Sequence, residues 1–268
     1  MRCRILLFVG MFFAVSFLFA QDSGLDSLLQ KIEERTESYV DYDSFSALVV
    51  STSREMDKEW NPNEVVVVEK KIIQQREKRR EVILKVTEFK KGIEKDVTAE
   101  HREQERKRME KAEKRRLERE EKKGRGDAGG GGGGKSFSIS TQEMFPFDPE
   151  KRDQFFFRQL GDTAIDGRAV ICLETRAKEK SKEFYEGKYY VDRERCDVLM
   201  VDLRPSKNPK YVKEMHMKMW FDVLDENYYV IKAYWMRVYA GIFIKKIRME
   251  VEETYEDYRI DVKEMSEG

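Results

Sequence analysis

The sequence predicts an α+β chain, mostly β, built from antiparallel strands. The run from Tyr211 to Val262 contains four segments in which apolar and polar residues alternate: KEMHMKMWFDV, NYYVIKAYWMRVY, GIFIKKIRMEVEE and DYRIDV. The stretch from Tyr42 to Lys91 is rich in β-branched residues, which suit a pleated, half-buried surface better than a helix. Helical texture is confined to a short segment near the N-terminus and one long charged run.

A period of two places successive side chains on opposite faces of a sheet. In the first C-terminal segment Met215, Met217, Met219 and Phe221 share one side, with His216, Lys218 and Trp220 opposite. In the third, Phe243, Ile247, Met249 and Val251 face Lys246, Arg248, Glu250 and Glu252 across the strand. Turns at Asp225-Glu226-Asn227 and Ala240-Gly241 separate the segments, which makes an antiparallel meander the simplest arrangement.

The chain begins with Arg2 and Arg4, then an apolar run from Ile5 to Phe19 that ends at Ala20. This pattern is that of a cleaved secretory signal over residues 1–20. A membrane anchor would call for roughly 20 apolar residues, and the run is shorter. Cleavage would remove two of the 52 basic residues, leaving 50 against 52 acidic ones and a formal charge of −2. So balanced a chain gives no global reason to expect a nucleic acid or an anionic membrane as partner. Cys172 and Cys196 would remain, and an oxidising compartment leaves both a pairing and two free thiols open.

From Ser23 to Tyr39 a helix is expected, capped by Asp22 or Ser23, with Leu25, Leu28, Leu29 and Ile32 inward and Lys31, Glu33, Glu34 and Arg35 outward. Three strands follow, over Tyr42–Ser53, Glu64–Arg76 and Arg80–Lys91, the first two separated by a turn at Trp60-Asn61-Pro62-Asn63. Residues 99–135 change texture. A run of strong helix formers with opposite charges three or four apart predicts a solvated helix, and six consecutive glycines predict a tether. This stretch is expected to loop out of a single domain made of 21–98 and 136–268. Order resumes with a strand at FSIS (136–139), an aromatic loop Met144-Phe145-Pro146-Phe147-Asp148-Pro149, and a segment carrying Phe155, Phe156 and Phe157. Turns are expected at Leu160-Gly161-Asp162 and Ile165-Asp166-Gly167-Arg168. Strands then cover Ala169–Thr175, Phe184–Asp192 and Cys196–Leu203.

Little in this chain points to catalytic chemistry. Its two histidines, His101 and His216, stand apart, and neither cysteine has neighbours at metal-ligand spacing. No H-E-x-x-H, G-x-S-x-G, phosphate loop or C-x-x-C occurs. Asp192, Asp197 and Asp202 fall near strand ends, where turn or solvent-facing roles are expected. The expectation is therefore a non-enzyme with no metal and no cofactor. The Met and aromatic stripe allows two compatible readings. It is either core beneath the N-terminal helix or the lining of an apolar cavity, since Met adapts to varied apolar ligands.

The export signal, the amphipathic helix, the Trp60-Asn61-Pro62 turn, Ile165-Asp166-Gly167-Arg168 before a strand, and Tyr185-Glu186-Gly187-Lys188-Tyr189-Tyr190-Val191-Asp192 follow one another in a known order. With the Pro209–Met219 and Tyr255–Ile260 strands, the chain resembles the LolA-like outer-membrane lipoprotein-sorting proteins, a superfamily that includes LolB and RseB. The resemblance covers residues 24–95 and 136–262. It implies a strongly curved, half-open antiparallel half-barrel closed by helices, a periplasmic location, and non-catalytic carriage of lipid or lipoprotein acyl chains by a monomer. No site residue transfers from the family. Alternation alone nominates Met215, Met217, Met219, Phe221, Phe243, Ile247 and Met249 as ligand-lining. The competing expectation is an envelope interaction or regulatory protein whose sheet is solidly packed and which binds another protein.

Overall fold

The computed structural model describes residues 24–76, 78–123, 145–242 and 245–260. The proposed export signal, the helix cap at Asp22 or Ser23, the FSIS strand, the glycine run and Phe243 lie outside them.

The fold is mostly β, as expected, with few helices. Eleven strands form one unclosed antiparallel sheet in the order β4-β3-β2-β1-β11-β10-β9-β8-β7-β6-β5. They are β1 (Ser44–Met56), β2 (Pro62–Gln75), β3 (Lys78–Lys90), β4 (Ile93–Asp96), β5 (Phe155–Ile165), β6 (Arg168–Ala177), β7 (Tyr185–Asp192), β8 (Val198–Pro205), β9 (Val212–Leu224), β10 (Tyr228–Ile242) and β11 (Lys245–Ile260). The helices are α1 over residues 24–37, α2 (Thr98–Lys123) and the single turn α3 (Pro149–Arg152). Neighbouring strands are consecutive in the chain except β1 and β11, whose long antiparallel ladder pairs Phe45 with Ile260 and Glu55 with Met249.

The described residues divide into two compact units. The first holds residues 24–41 and 145–236, the second 42–123 and 237–260. In the first unit α1 buries Leu29 and Ile32 and half-buries Leu25 and Leu28, so the apolar stripe read from the sequence faces inward. In the second unit α2 starts at the end of β4, in the charged run where a helix was expected.

The structure corrects two turn assignments and one strand boundary, and two of the corrections share one physical cause. Leu160-Gly161-Asp162 is a bulge inside β5, not a turn. Gln159 pairs with Leu173 and Gly161 with Cys172, so β5 carries one extra residue, accommodated at Gly161 with φ 128°. DYRIDV is likewise no separate strand. Ser46 pairs with Arg259 and Leu48 with Glu256, and Asp257 at φ 50° takes up the extra residue within one long β11. Ala240-Gly241 lie inside β10 instead of ending it. A bulge and a tight turn draw on the same residues, Gly and Asp at positive φ, so local composition cannot separate them.

Both thiols are free, Cys172 buried and Cys196 partly so. Burial pushes the phenols of Tyr42, Tyr185, Tyr189 and Tyr258 above their ordinary range, and that of Tyr255 too, where Glu253 adds to the effect. A pKa raised in the folded state stabilises below the unfolded value, about 10 for tyrosine, and that contribution is lost as pH climbs through the folded one. Urea unfolding followed across this alkaline range is therefore expected to show stability falling from about pH 10 upward. Tyrosinate absorbance should appear together with unfolding, not before it.

Candidate functional site

Register builds the covered face of the first unit. Leu173 pairs with Tyr189, Tyr189 with Val201, and Val201 with Met219, so these four side chains form one row across β6–β9. The next row runs through Thr175, Gly187, Leu203 and Met217. Phe145 and Phe147 lie over these rows. Phe147 meets the Tyr189 ring edge-on at 5.2 Å, and Phe145 meets Phe221 edge-on at 5.8 Å. Phe221 stacks on Tyr229 at 4.9 Å, and Tyr229 on Tyr39 at 4.7 Å. The expected aromatic loop is thus a plug set into the sheet face.

Polar contacts clamp α1 beside that plug. Arg35 Nε donates to Asp197 Oδ1 at 2.6 Å, the Tyr39 hydroxyl donates to the same oxygen at 2.6 Å, and Arg195 Nε lies 3.1 Å from Oδ2. The Asp197 side chain is wholly buried. Burial and this carboxylate together push the Tyr39 phenol far above its usual value. The β7–β8 turn that carries Asp197 is itself held by Asp192, whose Oδ1 accepts the backbone N–H of Glu194 and of Arg195 at 2.9 Å each. Further along the helix, Arg152 pairs with Glu33 and donates to the Phe147 carbonyl at 3.1 Å. Asp192 therefore has its expected turn role. Asp197 does not face solvent; it accepts hydrogen bonds from Arg35 and Tyr39.

The opposite face of the same strands is polar. His216 Nε2 lies 2.5 Å from Asp202 Oδ1 and meets Trp235 edge-on, and Lys218 lies 3.7 Å from Asp202. Among the described residues no three His, Cys, Asp or Glu side chains cluster as metal ligands would. Beside α1, Asp26, Glu33, Glu34 and Glu37 line an open cleft of about 640 Å³, whose carboxylates do not suit a hydrocarbon.

In the second unit the apolar residues stay partly open. Ser53 pairs with Val66 on one side and Val251 on the other, placing all three on one face, and Glu55 pairs with Glu64 and Met249. Alternation along β11 adds Ile247 to that face. Ile247 is 41% and Met249 36% exposed. Leu48, Val50 and Phe89, on the other face, are also exposed. The first of these faces also carries polar side chains: Lys70 lies 3.0 Å from Glu81 and 3.7 Å from Glu253, whose carboxylate accepts the Tyr255 hydroxyl at 2.6 Å.

The nominated stripe therefore divides. Met217, Met219 and Phe221 are buried at 0%, 4% and 4% exposure, and Met215 is half-buried, all in the first unit. Ile247 and Met249 stay open in the second, and Phe243 lies outside the described residues. Sequence reasoning missed the Arg35–Tyr39–Asp197 contact. Its only local trace is Arg35 and Tyr39 four apart on one helix face, which does not point to an acid 162 residues beyond Arg35.

No protein-family model and no curated protein matches the chain. Among solved structures, an outer membrane lipoprotein-sorting protein domain from Vibrio parahaemolyticus aligns at 10% identity and TM-score 0.36, covering 89% of this chain and 94% of that one. The chain is similar to LolA-superfamily structures. A LolA superfamily protein from Nitrosomonas europaea aligns at 10% identity over the same shares with TM-score 0.31. MucB with MucA, from Pseudomonas aeruginosa, aligns at 9% identity and TM-score 0.26, covering 89% of this chain and 99% of that one.

Proposed function

We propose that the protein is an exported, non-catalytic binding protein of the bacterial periplasm, which takes the acyl chain of a lipid or lipoprotein on the open apolar face of its second unit. The observation that supports this reading is the exposure of Ile247 and Met249 beside Val251 and Val66, against the closed packing of Met217, Met219 and Phe221. A fatty chain laid on that face would be stabilised by roughly 0.8 kcal/mol per methylene removed from water. The buried half of the stripe belongs to the core and would contribute no contact.

The test is displacement of an apolar fluorescent dye by fatty acids, paired with native mass spectrometry of protein purified from a periplasm. Co-purifying phospholipid or acylated peptide is expected. Ile247→Asp with Met249→Asp should weaken fatty-acid binding at least tenfold and leave the melting temperature nearly unchanged, because both positions are exposed. A chain that stays free of lipid after incubation overturns the proposal. It would favour the other expectation, an envelope protein that recognises a protein partner.

A further inference from the structure

Among the described residues, helix α2 is anchored at its beginning. The Val86 N–H donates to Thr98 Oγ1 at 2.9 Å, and Arg102 Nη2 donates to the carbonyls of Ile83 at 2.7 Å and Leu84 at 3.1 Å. From Arg106 through Arg115 every residue is exposed. At about 1.5 Å per residue, a helix of 26 residues is far longer than that anchored turn.

Its charges are sorted, not mixed. Gln104, Arg108, Lys111 and Arg115 succeed one another at spacings that keep them on one face, and Lys114 flanks them. Glu103, Glu110 and Glu113 turn away from that face, while Glu105, three residues before Arg108, and Glu118, three after Arg115, border it. The acids at 103 and 110 are taken up on their own side: Arg106 lies 2.8 Å from Glu103 and also pairs with Glu110, and Lys107 lies 3.2 Å from Glu103. Arg108, Lys111, Lys114 and Arg115 have no ion pair among the described residues. The face therefore carries a net positive charge.

We propose that this face of α2 docks on an anionic lipid surface, with the helix lying in the plane of the headgroups. A flat array of negative charge can be met from one side only, which is what a single stripe offers. A protein groove would call for aromatic or aliphatic anchors at the contact centre, and the stripe has none. The exposed Met109 points off it. A single-stranded nucleic acid would call for stacking aromatics, absent from the helix, and the acids behind the stripe would repel phosphates wrapping around it. Contact is electrostatic, without insertion. This docking is independent of acyl-chain binding by the sheet.

The test is flotation of the full chain with mixed phosphatidylglycerol–phosphatidylcholine vesicles and with phosphatidylcholine vesicles alone. Binding is expected only to the first and should weaken as salt rises. Each cation near such a surface contributes roughly fivefold, so Arg108→Gln, Lys111→Gln and Arg115→Gln together should lose about a hundredfold. Lys58→Gln, Lys91→Gln and Lys207→Gln, an equal charge change at exposed positions elsewhere, should lose little. Lys111→Gln alone should cost about fivefold and reads the same contact even if the triple variant loses helix by circular dichroism. Equal binding to both vesicle types, or unchanged binding by Lys111→Gln, overturns the proposal. So does tighter binding to polyglutamate or duplex DNA at matched salt.

Discussion

Asp197→Ala is expected to lower stability by about 3 kcal/mol, a drop of roughly 10 °C in melting temperature for a chain of this size. Asp197 is a wholly buried carboxylate that receives Arg35 and Tyr39 on one oxygen and faces Arg195 across the other. Deleting it leaves the Tyr39 hydroxyl without its acceptor and removes the counter-charge from Arg35. Removing one partner of a buried ion pair costs more than the pair itself contributes, because the survivor stays partly desolvated. The partial exposure of Arg35 and Arg195 keeps the effect at the lower end of that range. The damage should centre on α1. Hydrogen exchange over residues 24–37 is expected to rise more than over β6–β8, and Arg35→Ala should reproduce most of that local change. Uniform exchange in the variant would mean that Asp197 does not hold the helix.

Gly187→Ala is expected to be as damaging, by a different route. Gly187 lies in β7 opposite Leu203, at φ 148°. A methyl group there would sit 2.1 Å from the Asp202 carbonyl oxygen, far inside contact distance. The obstruction is backbone in a central pairing, which cannot swing aside as a side chain would. Overpacking and a strained φ each cost about 1–3 kcal/mol, so the sum is roughly 3 kcal/mol. Denaturant unfolding of Gly187→Ala beside Gly161→Ala separates the two costs. Gly161 also has φ above 100° but nothing within 4 Å of an added Cβ, so its variant should show the conformational cost alone. Equal losses in the two variants would show that the carbonyl yields.

The strands were legible because alternation is a property of the local backbone. Once the chain is extended, successive side chains must point to opposite faces. Met217, Met219 and Phe221 therefore share a face, as do Ile247 and Met249, whatever surrounds them. The inward stripe of α1 and the solvated character of α2 follow from helical spacing in the same way. The bulges in β5 and β11 were not legible, since Gly161 and Asp257 carry residue types that serve turns and bulges alike.

By itself, then, the sequence determined the mostly β class, the two helices and which residues share each sheet face. Only tertiary structure decided which part of each face is covered. Phe145 and Phe147 cover Tyr189 and Phe221 in the first unit, Ile247 and Met249 stay open in the second, and Arg35 finds Asp197 across 162 residues. Spacing along a strand sets direction, whereas burial depends on which distant segment arrives to exclude water.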